Sequence, residues 1–398
     1  MSQQCAAQPA HATLEPQTHV PFVPSAEVNR LGERLLDIGR AEEARVLFEM
    51  AAGEDPSCGQ YANNLAVARF QTGDLPGAMR GMEHALIGQG DHRLFTLNFA
   101  DLARTRPRFL RRGIEHCRSY LEAAGHDEQV AEALARLEGD LAAADASFAA
   151  AVTKMPHHAL MKVNGSAEAA HFVQMGKNIV EDLLNYFGEL RRAETVLDFG
   201  VGLGRVMWPL MQQLPGARFI GFDVDPMMLG TVSGIQEFAG VDIVSTTHDI
   251  PDNTVDATYV ISVFTHLDHT TDYWLWELNR VLKPGGRAFV TYHDETLYDK
   301  IRKTTPETRD FKGRTILGSG AEGSTRVATF YETAEWERTV GRFFRVVRTA
   351  PRGLHGHQSF SILEKGEAKV DALDFHRTYV KDLERELFEM RAKAKLEY

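Results

Sequence analysis

In VLDFGVGLGRV, residues 196–206 of a 398-residue chain, an apolar run gives way to glycine at every second position. The run Thr195–Phe199 predicts a buried parallel strand. Gly200, Gly202 and Gly204 predict a tight loop, bare of side chains, where a ligand can lie against the backbone before a helix that begins near Arg205. RFIGFDVDP, residues 218–226, predicts a second strand ending in Asp223, with Pro226 opening the next helix. Strand, glycine loop, helix and strand in this order predict an α/β sheet.

Asp223 is placed to accept two hydrogen bonds from ribose hydroxyls. Dinucleotide-binding domains also combine a glycine loop with a later acid, so spacing has to separate the possibilities. Here the glycines run GxGxG rather than GxGxxG, and Asp198 stands two residues before the first. A carboxylate at that point would repel a pyrophosphate but suits a positively charged amino-acid group. That favours S-adenosylmethionine as cofactor over a dinucleotide.

Later segments agree. Residues 256–264, DATYVISVF, predict another strand, with Thr265-His266-Leu267-Asp268 at its carboxyl end. A helix follows over Trp274–Leu282, then a type II turn at Lys283-Pro284-Gly285-Gly286 and a fifth strand over Arg287–Tyr292. VLDFGVGLGRV, FIGFDVDPMML, PDNTVDATYVISVFTHL and ELNRVLKPGGRAFV together resemble the class I S-adenosylmethionine-dependent methyltransferase family, in its type 11/12-like form, over roughly residues 163–365. The resemblance implies a Rossmann-like, seven-stranded, mostly parallel sheet with helices on both faces and a terminal antiparallel hairpin. Phe343–Ala350 and Ser359–Leu363 read as that hairpin, and Val163–Gly176 as a helical cap over the cofactor.

Carried over residue by residue, the resemblance implies that Gly200, Gly202 and Gly204 line the methionine and ribose, Asp198 assists the amino group, and Asp223 holds the ribose diol. Val224 or Met227 flanks the adenine. His248 or Asp249, in a loop shorter than the family's usual one, contacts the adenine amino group or belongs to a solvated turn. Methyl transfer needs positioning and, for a hydroxyl or amine acceptor, a base beyond the carboxyl ends of the strands. His266 and His293 are the candidate catalytic residues. Tyr292, His355 and His357 are candidate substrate contacts, and Asp294 also meets the positional test. Asp268 and Asp294 lack the acid pair and asparagine of metal-dependent relatives, so no metal is expected.

Between the fifth strand and the hairpin, Glu295–Trp336 is a long insertion carrying Lys300, Arg302, Lys303, Arg309, Lys312 and Arg314, then a glycine-rich run, residues 317–323. It reads as a mobile basic flap suited to an acidic acceptor, or as a solvated loop with ordinary charges. Val380, Leu383, Leu387 and Met390 form an apolar seam on a charged terminal helix.

Upstream, Leu31, Gly39, Ala44, Phe48, Ala51 and Pro56 recur 34 positions later as Leu65, Gly73, Ala78, Met82, Ala85 and Gly90. Gly139, Ala144, Phe148, Ala151 and Pro156 lie 100 positions beyond their counterparts in the first unit. The pattern is similar to the tetratricopeptide repeat family, which implies an all-α helical solenoid used for protein contacts. The chain thus divides into a disordered leader (1–24), repeats (25–158), a methyltransferase domain (159–365) and a charged helix (366–398), with neither half needing the other to fold.

Forty-four Lys and Arg against 55 Asp and Glu leave a net charge of −11, which disfavours nucleic acid as a partner. The absence of a long apolar stretch or signal-like start points to a cytoplasmic protein without a membrane partner. Cys5, Cys58 and Cys117 are too few and too scattered for a disulfide framework. The leading expectation is methyl transfer to a small metabolite or glycan, with the repeats used for assembly, as in a homo-dimer, or for a protein partner. The alternatives are a protein or peptide methyltransferase that recruits substrate through the repeats, and an inactive scaffold with a cofactor fold.

Overall fold

Helices α1 (Ser25–Asp37), α2 (Ala41–Glu54), α3 (Gly59–Gln71), α4 (Leu75–Ile87), α5 (His92–Ala103) and α6 (Leu110–Ala124) follow one another through short turns. Gly39 and Gly73 end α1 and α3 with φ of 79° and 89°, a conformation that side chains resist. Asp74 and Asp91 cap the next helices, accepting from the backbone N–H of Gly77 and Leu94 at 2.9 and 3.0 Å. Ala44, Ala51, Ala78 and Ala85 are completely buried, and Phe48 fills the space beside Gly32, where a Cβ would lie 2.6 Å from its ring. The last unit departs from the repeat. Gly139 lies inside α7, an unbroken 26-residue helix over Glu128–Thr153, so the expected turn is absent there. Its Phe148 ring stacks on Trp208, at 5.3 Å between centroids.

After α8 (His157–Asn164) and α9 (Ala169–Tyr186) come the strands β1 (Thr195–Phe199), β2 (Arg218–Phe222), β3 (Asp242–Val244), β4 (Val255–Val260) and β5 (Leu282–Asp294). They pair in parallel in the order β3-β2-β1-β4-β5. β9 (Gln358–Lys365) runs antiparallel beside β5, and β8 (Phe344–Leu354) pairs with β9. These seven strands are the expected sheet. The count is nonetheless nine, because the insertion forms a hairpin, β6 (Arg314–Gly318) and β7 (Val327–Tyr331), and β7 pairs with His293 and Asp294 at the end of β5. The expected turn at Lys283–Gly286, with Gly285 at φ 77°, lies inside β5 as an irregularity between Leu282, paired with Val255, and Arg287, paired with Ala257.

Alternation along the strands sorts side chains to two faces. Val196, Phe219, Ala257 and Tyr259 join the core beneath α9, α10 (Met207–Gln213) and α11 (Pro226–Ser233). Leu197, Ile220, Phe222 and Val260 join the opposite core beneath α12 (Thr271–Val281) and α14 (Thr333–Val340). The first core does not stop at the sheet. It continues from Trp208 and Met211 of α10 through Phe148 to Ala66 of α3. Apolar side chains of α6, α7 and α10 thus exclude water from one shared interior.

The computed structural model describes residues 23–303, 311–320, 322–324, 326–354 and 358–367. The expected leader up to residue 22, His355, His357, Arg309 and the terminal apolar seam lie outside the described residues. Among those described, no helix is long and apolar enough to cross a membrane.

Candidate functional site

A cavity opens at the carboxyl ends of the parallel strands, walled by Asp198, Gly200, Gly202, Arg205, Asp223, Val224, Ser262, Val263 and His266, with Lys162 and Val163 closing it from α8. The glycine loop reaches it by close packing. A Cβ on Gly200, whose φ is 88°, would lie 2.4 Å from Val263 Cγ2. Gly204 does not line the cavity; a Cβ there would meet Phe238 at 2.4 Å, so its smallness serves packing between the loop and the core.

Asp198 ends β1 almost fully buried, and Tyr259, its register partner on β4, donates its hydroxyl to Asp198 Oδ2 at 2.6 Å. Burial pushes this carboxyl up to about 7, against the Tyr259 hydrogen bond. Arg205 shares the cavity, and burial pulls its guanidinium down to about 10. Its Nη1 donates to Asn164 Oδ1 at 3.2 Å, whereas its buried Nε has no hydrogen-bond partner among the described residues. Gly176 of α9 lets that helix approach: a Cβ there would lie 2.1 Å from the Arg205 carbonyl oxygen.

Asp223 follows β2 and organises the loop. Its Oδ2 accepts from Gly202 N at 2.8 Å and its Oδ1 from Asp225 N at 2.9 Å, while burial raises its pKa. Val224 is 61% exposed at the lip of the cavity. Met227 is packed against the core instead, and Met228 is the methionine on the wall. His248 and Asp249 occupy an exposed short turn, Thr247–Asp249, and neither lines the cavity. The geometry therefore does not bring Asp249 to the position expected of it.

His266 is on the cavity wall. Its Nδ1 lies 2.6 Å from the Val327 carbonyl oxygen, which can only accept, so Nδ1 carries a proton and the neutral ring keeps an unprotonated Nε2. Burial holds its pKa below the ordinary value, and the nearby Lys162 adds to the effect. His293 stands behind it, with ring centroids 6.4 Å apart, and does not line the cavity. Burial brings His293 down to about 4, and its buried Nδ1 has no partner among the described residues.

Tyr292 is a correction. Strand alternation turns it into the core, where it stacks on Trp336 at 4.8 Å and 14° and points its hydroxyl at Thr333, away from the cavity. Asp294 is also buried: it accepts from Ser359 Oγ and caps α13 (Glu295–Arg302) through Leu297 N at 3.0 Å. The described residues of the insertion fold into α13, the β6–β7 hairpin and the start of α14, more order than either a flap or a solvated loop implies, and Arg314 is paired with Asp268 at 2.7 Å. None of its described basic residues lines the cavity; the insertion's contribution there is Gly323. Among the described residues, no group of three or more His, Cys, Asp or Glu is placed to hold a metal ion.

Tyr259, Arg205, Lys162 and Ser262 escaped the reading of the sequence. Arg205 directly follows the third glycine, a signal available but unused. Ser262 holds φ at 61°, the strained kind of backbone that collects at functional sites.

Residues 197–290 match the methyltransferase domain family. The match runs from within β1 to within β5 and so contains Asp198, the glycine loop, Asp223 and His266. Among solved structures, the chain is similar to the Burkholderia thailandensis 1,6-didemethyltoxoflavin-N1-methyltransferase, solved with 1,6-didemethyltoxoflavin and S-adenosylhomocysteine, at 18% identity over 49% of this chain and 80% of that one, TM-score 0.35. It is also similar to an O-methyltransferase family protein from the same organism, at 14% identity over 50% and 58% of the two chains, TM-score 0.36. A third is a SAM-dependent methyltransferase from Methanosarcina mazei, at 18% identity over 43% and 92%, TM-score 0.32.

A methyltransferase domain implies S-adenosylmethionine as cofactor, and the residues present fit it. The Arg205 guanidinium and the desolvated Asp198 wall one cavity, the first suited to an anion and the second to a cation. An α-amino acid end carries both.

Proposed function

We propose that this protein transfers the methyl group of S-adenosylmethionine to a hydroxyl or amine of a small metabolite or glycan. One observation carries the reading: Asp198 and Arg205 wall the same cavity, yet no hydrogen bond or ion pair joins them among the described residues. A desolvated carboxyl and a desolvated guanidinium in one partly dry site are costly unless a ligand completes them.

When bound, the cofactor supplies a methyl group on a positively charged sulfur. Asp198 holds its ammonium and Arg205 its carboxylate. Asp223 accepts the ribose hydroxyls on lone pairs that its two backbone donors leave free. Val224 covers one face of the adenine. His266 Nε2 takes the acceptor's proton, and it is neutral near pH 7 because burial disfavours the imidazolium. Holding both reactants in line is worth roughly 7–11 kcal/mol of the barrier.

The helical region serves assembly or a partner in this proposal. Its support is the exposed apolar set Leu31 on α1, Ile38 directly after it, and Val46 and Met50 on α2, each at least half accessible.

Methyl-labelled S-adenosylmethionine added to a cell extract, with the wild-type chain or with Asp198→Asn, tests the function. Label entering a small molecule only with the wild type supports it. Label entering protein moves the reading to a protein acceptor, and failure to bind S-adenosylhomocysteine in calorimetry overturns it.

A further inference from the structure

The β6–β7 hairpin meets the loop after β4 through a set of bonds larger than closing the cavity requires. Val327 O accepts from His266 Nδ1 at 2.6 Å, Gly323 N donates to His266 O at 2.9 Å, and Thr329 Oγ1 donates to Leu267 O at 2.6 Å. Glu322 ties down the next turn: one oxygen, Oε1, accepts from Asp268 N, from Thr270 N at 3.0 Å and from Thr270 Oγ1 at 2.8 Å. Arg314 adds bonds to the Asp268 carbonyl and carboxylate. Residues 266–270 are thus fastened to the insertion at nearly every step.

We propose that this hairpin is the positioning element for His266, with Glu322 and Thr329 as its positioning residues. The reasoning is chemical. A neutral imidazole has one N–H, and whichever nitrogen bears it is useless as a base. Nothing in the cavity wall forces the proton onto Nδ1; the Val327 carbonyl does, from an element inserted between the fifth strand and the terminal hairpin. That carbonyl works only while β7 stays in register with the loop, and Thr329, completely buried two residues on, fastens the register to Leu267. Glu322 holds the other end of the same loop. The hydrogen bond made by one ring nitrogen decides which nitrogen is free to act. The inference rests on the proposed methyltransferase reading only for what Nε2 does; the tautomer itself is independent of it.

The test is ¹⁵N–¹H correlation NMR of the imidazole rings of the full chain at pH 7.5, with His266 assigned by its disappearance in His266→Gln. The expected wild-type pattern is a single tautomer with Nδ1 protonated and Nε2 bare. Glu322→Ala and Thr329→Val are expected to lose that single pattern and show both tautomers in exchange, whereas Glu322→Gln, which keeps an oxygen acceptor, retains it. Thr329→Val is close to isosteric, so it remains informative if Glu322→Ala fails to fold. A wild-type ring protonated on Nε2, or an unchanged pattern in folded Glu322→Ala and Thr329→Val, overturns the proposal. S-Adenosylhomocysteine binding by the same samples separates the two ideas: absent binding sinks the methyltransferase reading while the tautomer result still stands or falls alone.

Discussion

The ring of Phe148 on α7 lies 5.3 Å from that of Trp208 on α10, nearly parallel at 28°, and both side chains are 1% exposed. The contact joins the amino-terminal helices to the helix that follows the glycine loop, so the two regions share one interior. Phe148→Ala should therefore destabilise the whole chain by about 3–5 kcal/mol, the range for deleting a buried aromatic. Denaturant unfolding followed both by circular dichroism and by tryptophan fluorescence should show one coincident transition that moves as a unit. Two separated transitions, with only the helical one shifted, would contradict the shared core. For the same reason, deleting residues 1–158 removes 19 of the 49 buried residues of that core and is a poor way to ask whether the repeats recruit substrate.

Asp223→Ala should weaken binding of S-adenosylhomocysteine by about 1–3 kcal/mol, the size of losing hydrogen bonds to a charged group. The residue also receives the N–H groups of Gly202 and Asp225, so part of the loss comes from a loosened loop. Asp223→Asn separates the two, because an amide oxygen still accepts one of those bonds. Calorimetry that finds unchanged affinity in both variants would remove Asp223 from the ribose.

Cofactor binding should depend on the Asp198 proton. Its carboxyl is raised to about 7 by burial, and an arriving ammonium favours the ionised form, so affinity should be highest above pH 7 and fall as pH drops below it. At pH 7, binding should release roughly half a proton, visible as a buffer-dependent calorimetric heat. In the ligand-free protein the same shift acts on stability with a fixed sign. The folded state holds the proton more tightly than the unfolded one between about pH 4 and 7, so this group's contribution grows as pH falls through that window. Asp198→Asn should flatten both dependences. An affinity independent of pH from 5.5 to 8.5 in the wild type would mean that Asp198 faces no cation.

How much of this is legible in the sequence follows from what each residue has to satisfy. The glycine loop is legible because Gly200 takes a positive φ against Val263, where no other residue fits, and the second acid is legible because it ends a strand beside that loop. Tyr292 is misread because position alone, after a strand, does not say which face a side chain takes; the ring goes to Trp336. The insertion is misread because glycine and charge describe a loop's solvent side and not its partners. Its order comes from backbone bonds of Gly323 and Val327 to His266, which leave no mark on composition. The repeats are legible as far as Gly73, where glycine stops a helix, but not at Gly139, which α7 absorbs because the same residue is tolerated inside a long helix at modest cost.

His266 offers a kinetic prediction once an acceptor is found. Replacing it with Gln should lower kcat by about two to four orders of magnitude if it is the base. Burial and Lys162 lower its pKa and the Val327 carbonyl raises it, with the net shift downward, so the acidic limb of the wild-type kcat/KM profile should lie below the ordinary histidine value. That limb should vanish in His266→Gln. Its persistence in the variant would assign the proton to another group.

Arg205 gives the sharpest discrimination, since the proposed function assigns it a part of the cofactor that takes no part in the transfer. Arg205→Met keeps the side chain's length and apolar contacts but removes the guanidinium, including the orphaned Nε. It should weaken S-adenosylhomocysteine binding by about 1.5–3 kcal/mol, the range for a hydrogen bond to a charged group. Methylthioadenosine, which lacks the amino-acid end, should bind wild type and variant alike, and its wild-type affinity should already be lower. The comparison controls for a general disturbance of the cavity, because a collapsed loop would lose both ligands together. Equal losses for the two ligands would assign Arg205 to the architecture of the glycine loop, beside Asn164 and the close approach of Gly176, and leave the carboxylate to be held elsewhere.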